Sequence, residues 1–199
     1  MSASHKTQNI ILKYLLYVIV AAVIYEFMPL INKTNVLLPE TLTIDNNRVD
    51  STKFMTGYTI TKIVDGDTID VDKNNTTTKV RLLGINTPES VDPRRAVECY
   101  GIESSKYISD LASGAYVYME TDDSQSKYDK YGRLLAYVYM QDGQMINRKM
   151  IAEGYAYEYT YDKAYKYQKD FKALQSYAKL ENRGLWAANT CNGSKQIIK

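Results

Sequence analysis

The sequence predicts an α+β fold: a five-stranded β-barrel with three helices, preceded by an N-terminal hydrophobic helix. Three observations support this. Five short segments alternate apolar and polar residues as half-buried strands do, with turn residues between them. Three later stretches carry apolar residues at helical spacing, one between the third and fourth strands and two after the fifth. Finally, Tyr14–Tyr25 runs twelve residues without a charge near the start of a 199-residue chain.

Residues 1–28 read as a membrane-targeting segment. Lys6 and Lys13 flank the apolar run, whose length fits the core of a secretory signal peptide. A small-x-small cleavage site is missing, because Ile24, Tyr25, Glu26, Phe27 and Met28 are all large. Taken from Ile10 to Ile31, the segment is long enough to span a bilayer, so an uncleaved anchor is expected, with a cleaved signal as the alternative. Either reading places the rest of the chain outside the cytoplasmic membrane, membrane-bound or secreted. Residues 29–53 mix Pro, Asn, Thr and charges without a period and read as a stalk. The folded domain is assigned to 54–188 and a C-terminal tail to 189–199.

Within the domain, strands are expected over FMTGYTITKIV from Phe54, over DTIDVD after a turn at Asp65-Gly66, and over TKVRLLGI after a turn at Asn74-Asn75. A helix over Tyr100–Leu111 stops at Ser113-Gly114. AYVYMET and RLLAYVYM follow as strands on either side of the polar loop DDSQSKYDKYG. Asn147–Ala152 is a short helix closed by Gly154. Lys163–Asn182 is a longer one with Tyr167, Phe171, Leu174 and Ala178 in a stripe and Gly184 as its stop. This order suits a small closed barrel of the oligonucleotide/oligosaccharide-binding type, the OB-fold, since a sandwich needs more strands.

Composition narrows the chemistry. The chain has one histidine, His5, upstream of the domain, so nucleophile systems and zinc sites built on imidazole are excluded. Carboxylates, Arg, Lys, Tyr or a bound ion must do the work. Lys and Arg number 25 against 23 acidic residues, so any basic surface is local. Nineteen tyrosines stand against three phenylalanines and one tryptophan. Cys99 and Cys191 are two buried thiols or one disulfide, and export favours the disulfide.

Three constellations carry candidate chemistry. Val64-Asp65-Gly66-Asp67-Thr68 sets two carboxylates around a glycine, which by itself is an ordinary hairpin turn. In Val80 to Glu89 (VRLLGINTPE), Arg81 sits in an apolar strand and needs an anionic partner, either Asp67 or Glu89 in an ion pair or an anionic ligand. Asp129-Lys130-Tyr131-Gly132-Arg133 opens the fifth strand with a second arginine; taken alone it is a solvated turn.

In this order, DGDT, RLLGINTPE and DKYGR, with YGIESSKYI as the intervening helix, resemble the staphylococcal nuclease (thermonuclease) family over Phe54 to Trp186. Gly184-Leu185-Trp186 resembles the family's closing helix stop. The resemblance implies a calcium-dependent (Ca2+) nuclease cleaving DNA and RNA. It implies that Asp67 and the Thr87 backbone hold the ion, that Arg81 and Arg133 bind the phosphate, that Glu89 activates water, and that Tyr131, with Lys130 beside it, lies near the nucleotide. Asn86 departs from the pattern, standing where many members carry a second acidic ligand. Its amide oxygen still coordinates, so weaker calcium binding is expected. Arg94 and Arg95 are candidates for phosphates flanking the cut. Tyr155, Tyr157, Tyr159 and Tyr161 share one face if extended, and Tyr159 and Tyr161 are candidates for stacking bases, with core packing as the alternative reading of the run. A monomer acting on single-stranded DNA and RNA is expected. A barrel that binds nucleic acid without turnover is the alternative; retention of Asp67, Arg81, Glu89 and Arg133 together argues against it, because binding alone does not require that set.

Overall fold

The computed structural model describes residues 56–90 and 96–194; the N-terminal apolar segment, the stalk, Arg94 and Arg95 lie outside them. In chain order the described strands are β1 (Gly57–Asp65), β2 (Thr68–Lys73), β3 (Thr76–Leu82), β4 (Ile85–Asn86), β5 (Tyr116–Glu120), β6 (Leu134–Met140) and β7 (Tyr157–Glu158). The helices are α1 (Gly101–Ala112), α2 (Ile146–Ala152) and α3 (Gln168–Leu180), followed by a 3₁₀ turn at Gly184–Trp186. None of these helices is long and apolar enough to cross a membrane.

Five strands close a barrel in the order β1-β2-β3-β6-β5, with β5 returning to β1, so the α+β barrel with three α-helices stands as the sequence predicts. Asn74 and Asn75, at φ 53° and 62°, make the tight turn from β2 to β3 in the left-handed region that hairpin turns demand. Two register shifts in the β1–β2 ladder bend these strands, as barrel closure requires. Only β3 and β6 run parallel, joined through α1 and β5. Along β3, Val80 and Leu82 are fully buried while Arg81 between them is not, so the alternation turns Arg81 to the outer face. Ile60, Ile69, Val71, Val117, Ala136 and Val138 complete the barrel interior, and α3 covers it with Phe171 and Leu174.

Three elements differ from the sequence reading. β3 ends at Leu82 rather than running to Ile85. Gly84 turns the chain at φ +79°, and a Cβ there would lie 2.7 Å from the Tyr165 ring. Ile85 and Asn86 thereby leave the barrel and pair with β7 in a small second sheet. α3 begins at Gln168, not Lys163, because the residues before it are held by the barrel: the Lys166 N–H donates to Asp122 Oδ2 at 2.7 Å and the Tyr165 hydroxyl to the Gly84 carbonyl at 3.2 Å. α3 then ends at Leu180, and Asn182 after it takes the left-handed conformation (φ 51°), with Arg183 N–H bonded to the Ala178 carbonyl and Asn182 N–H to the Lys179 carbonyl, so Gly184 is not its stop. The segment assigned as a tail from residue 189 packs on the domain as far as Ser194, where Gly193 N–H donates to the Leu185 carbonyl.

Two polar clusters lock helices to barrel. Buried Asn147 on α2 accepts from the Val138 N–H at 2.9 Å and donates to the Leu83 and Ala136 carbonyls, stitching the residue after β3 to the middle of β6. On β5, Glu120 accepts hydrogen bonds from the Tyr139 hydroxyl at 2.6 Å and the Tyr167 hydroxyl at 2.9 Å and pairs with Lys166. Burial works against the Glu120 charge, but the bonds from Lys166, Tyr139 and Tyr167 outweigh it and hold its carboxyl below the usual range.

A carboxyl whose folded pKa is depressed adds stability above its unfolded pKa, here 4.5, and loses it as pH falls through the lower folded value. Urea unfolding should therefore show Glu120→Gln less stable than wild type at pH 7 by about 1.5–3 kcal/mol, the range for a hydrogen bond to a charged group, with the difference shrinking below pH ~4. An equal difference at both pH values would contradict this.

Candidate active site

The site grows from the β1–β2 turn and the end of β3. Within the turn, Asp65 Oδ1 accepts the Asp67 N–H at 3.0 Å, which holds the two carboxylates of the DGD sequence close together. Asp67 is 6% exposed. Its Oδ2 accepts the Thr87 N–H at 3.0 Å and pairs with Arg81 at 2.9 Å, while its Oδ1 accepts the Thr68 hydroxyl at 3.1 Å. Its backbone carbonyl takes the Leu82 N–H at 2.9 Å. One aspartate thus fastens the turn, the end of β3 and the Asn86-Thr87 segment to one another.

Arg81, on the outer face of β3, is cradled rather than free. One guanidinium nitrogen donates to the Leu82 and Ile85 carbonyls at 2.7 and 2.8 Å; the other meets Asp67 and donates to the Asn86 side-chain oxygen at 3.2 Å. The anionic partner that the sequence demanded is therefore Asp67, and Asn86 belongs to the same cluster. Arg133, just before β6, pairs through Nε with Asp129 at 2.7 Å and donates to the Thr68 hydroxyl at 3.2 Å. Burial penalises the Asp129 charge, yet the bonds from Arg133 and from the turn backbone prevail and keep its carboxyl below the usual range. Through Thr68, the two arginines are joined to one carboxylate by an unbroken run, Arg133–Thr68–Asp67–Arg81.

Electrostatics distinguish the two turn carboxylates. Burial, and after it the neighbouring Asp67 charge, push the Asp65 carboxyl up to about 6. Glu89 lies two residues beyond Thr87. Its N–H donates to Glu98 Oε2 at 3.0 Å and its carbonyl takes the Glu98 N–H at 2.9 Å. Its side chain accepts the Ser90 N–H at 3.0 Å. Gly101, the first residue of α1, packs so closely on this backbone that a Cβ would fall 2.3 Å from the Glu89 carbonyl oxygen.

The aromatic candidates divide. Tyr131 is 71% exposed, with the Arg133 guanidinium 5.4 Å and the Lys130 ammonium 5.1 Å from its ring centre. Tyr159 and Tyr161, 44% and 77% exposed, stand with ring centres 6.4 Å apart, and the Tyr159 N–H donates to the Gly84 carbonyl beside the Arg81 cradle. Tyr155 instead stacks on Tyr107 at 3.9 Å, and Tyr157 packs edge-on against Trp186, so the alternating run presents two rings outward and two inward. Asp65, Thr68 and Asp129, which stand in the motifs but carry no predicted role of their own, and Glu98, which no motif marks, support the site. Thr68 stands inside the DGDT motif, whereas nothing local marks Glu98 among 23 acidic residues. Cys99 and Cys191 are joined in a disulfide.

Comparison with known proteins gives the family of the chain. The family model described as Staphylococcal nuclease homologue matches residues 79–188. The Thermonuclease of Staphylococcus hyicus is 35% identical over 130 residues, covering 65% of this chain and 75% of the relative. The SPbeta prophage-derived endonuclease YokF of Bacillus subtilis (strain 168) is 38% identical over 138 residues, and Endonuclease YncB of the same organism 35% identical over 136. The matches take in 69% and 68% of this chain but only 46% and 64% of those two relatives. With the family model matching more than half of the chain, from within β3 to just past the 3₁₀ turn, the chain belongs to the staphylococcal nuclease family.

Proposed function

We propose that this protein is a calcium-dependent nuclease that hydrolyses phosphodiester bonds of DNA and RNA, prefers single strands and acts as a monomer outside the cytoplasmic membrane. Residues 1–28 would anchor it there, or release it if cleaved, with the catalytic domain 54–188 carried on the stalk 29–53. The observation that carries this reading is the run Arg133–Thr68–Asp67–Arg81, which gathers two guanidiniums and a buried carboxylate at one edge of the barrel. The relatives' names, thermonuclease and endonuclease, point the same way.

The donor set fits a hard cation. Asp67, the Asn86 amide oxygen and the Thr87 carbonyl offer oxygen ligands, and Asp65 beside Asp67 adds a second carboxylate, whose pKa burial first and the Asp67 charge second push up. Among the described residues no group of three or more His, Cys, Asp and Glu side chains is gathered for a metal, so amide, carbonyl and water oxygens must complete the shell. Calcium bound there supplies charge that polarises the phosphoryl group. The protein's own residues do the rest. Arg81 and Arg133 each present a planar fork to the non-bridging oxygens of the phosphate and stabilise the charge that builds as water attacks. Substrate competes with Asp67 and Asp129 for these guanidiniums, so the ion pairs hold the forks in place before the phosphate arrives. The Glu89 carboxylate takes the proton of the attacking water; the new phosphorus–oxygen bond forms as the bond to the leaving sugar oxygen breaks, and that oxygen is protonated from solvent. Tyr131, Tyr159 and Tyr161 offer exposed ring faces with Lys130 beside them, which suits unpaired bases and little sequence preference. Arg94 and Arg95 would add phosphate contacts.

Two outcomes test the reading. Full-length protein incubated with single-stranded DNA or RNA should cleave it with calcium and not with chelator, and Arg133→Ala and Glu89→Gln should each lower kcat by about 10²–10³-fold; calcium-dependent binding without cleavage would instead favour the binding-module alternative. Asn86→Asp should tighten calcium binding in a calorimetric titration, and an unchanged or weaker affinity would remove Asn86 from the proposed ligand set.

A further inference from the structure

The backbone of Glu89 is bonded to a segment that follows it in the chain and leads into α1. Its backbone N–H and carbonyl are both taken by Glu98, Gly101 is pressed against its carbonyl, and the hydroxyl of the next residue, Ser90, meets the Ser105 hydroxyl on α1 at 2.7 Å. The segment 98–105 therefore sets where Glu89 stands. That segment has its own anchors. Cys99, beside Glu98, is bonded to Cys191, 92 residues away in sequence. Cys191 is buried, and its turn is tied down by the Thr190 hydroxyl donating to the Gly184 carbonyl at 2.7 Å and by Gly193 on Leu185. Between Cys99 and Gly101, Tyr100 is forced to φ 69°. A bulky residue persists in that conformation only where its surroundings impose it. Those surroundings are the disulfide on one side and, on the other, the Tyr155 ring at 5.4 Å, itself stacked on Tyr107.

We propose that the Cys99–Cys191 disulfide and Glu98 are positioning elements for Glu89, so that turnover depends on the oxidation state of this cysteine pair. The inference rests on the reading of Glu89 as the proton acceptor. Its physical basis is a division of labour. Arg81 and Arg133 are paired with Asp67, Thr68 and Asp129, while the Glu89 backbone is bonded to Glu98, which precedes α1 and adjoins the disulfide to the C-terminal turn. Reduction, which converts the disulfide to two thiols at the expense of an external dithiol, frees one half of the site and leaves the other in place. Loss should therefore fall on kcat and spare substrate binding.

The test uses the full-length protein, oxidised and after treatment with dithiothreitol, together with a Cys99→Ser/Cys191→Ser double variant. kcat and KM on a short single-stranded DNA with calcium are measured near 20 °C, alongside the thermal midpoint. Reduction and the double variant should each lower kcat by about 10- to 100-fold, the cost of a misplaced catalytic group, with KM within about twofold. Glu98→Ala, with the disulfide intact, should reproduce that loss, and Glu98→Gln, which keeps an acceptor for the Glu89 N–H, should recover most of it. If the double variant fails to fold, Glu98→Ala alone decides. An unchanged kcat in the reduced protein or in Glu98→Ala, whatever the midpoint does, overturns the proposal while leaving the nuclease reading intact. An oxidised wild type without cleavage overturns both.

Discussion

The Asp67 carboxylate is the joint on which the structure around the site turns. It is nearly inaccessible, and its partner Arg81 has a side chain only 12% exposed, so both charges have been taken out of water. Desolvation makes such a pair a poor source of net stability, and removing either partner strands the other. What the pair contributes is geometry. Asp67 accepts from Thr87 and Thr68 as well as from Arg81, so the three stretches that bear the candidate chemistry can adopt only one arrangement. The Arg81 fork, satisfied also by the Leu82 and Ile85 carbonyls, is preorganised by the backbone bend that Gly84 permits. The bonds that pair the groups of a buried polar turn are, on the reading proposed above, the same ones that would hold rigid donors for a phosphate.

Much of this was readable in the sequence because it is written in short-range patterns. Alternation gave the five barrel strands, paired asparagines gave the β2–β3 turn, and an arginine between buried Val80 and Leu82 announced its need for an anion. The misreadings share a different cause. Strand β3 breaks early because Gly84 must clear Tyr165, a residue 81 positions on, and α3 starts late because Asp122 claims a backbone N–H more than forty residues away. The tyrosine run from Tyr155 looked uniform, yet Tyr107 and Trp186 draw two of its rings inward. Glu98 could not be distinguished because its importance lies in whose backbone it faces, not in its neighbours along the chain.

The excess of tyrosine over phenylalanine has a structural use. Tyr137, Tyr139 and Tyr165 fill core positions that a phenylalanine ring would fill, but each brings a hydroxyl that must be satisfied. Asp122, Glu120 and Glu158 accept those hydroxyls, and burial together with these carboxylates pushes the tyrosines far above their ordinary pKa. The core is thus bounded by directional contacts, which fix α3 and the loop before it in one register against β5 and β6. Part of the acidic residue content is consumed in this way.

The Cys99–Cys191 link also gives the molecule a topology that its secondary structure does not reveal: a covalent ring enclosing every described connection from α1 to the 3₁₀ turn, including the exposed turn with Tyr128, Lys130 and Tyr131 at its surface. A protease that nicked that turn would sever β5 from β6 along the chain without releasing a fragment. The β5–β6 ladder would still pair the cut ends, and the sulfur bridge would keep both pieces one particle. In oxidising surroundings, a single cut at this exposed loop leaves the parts of the domain at fixed effective concentration, and resistance to digestion becomes a property of the ring as much as of the fold.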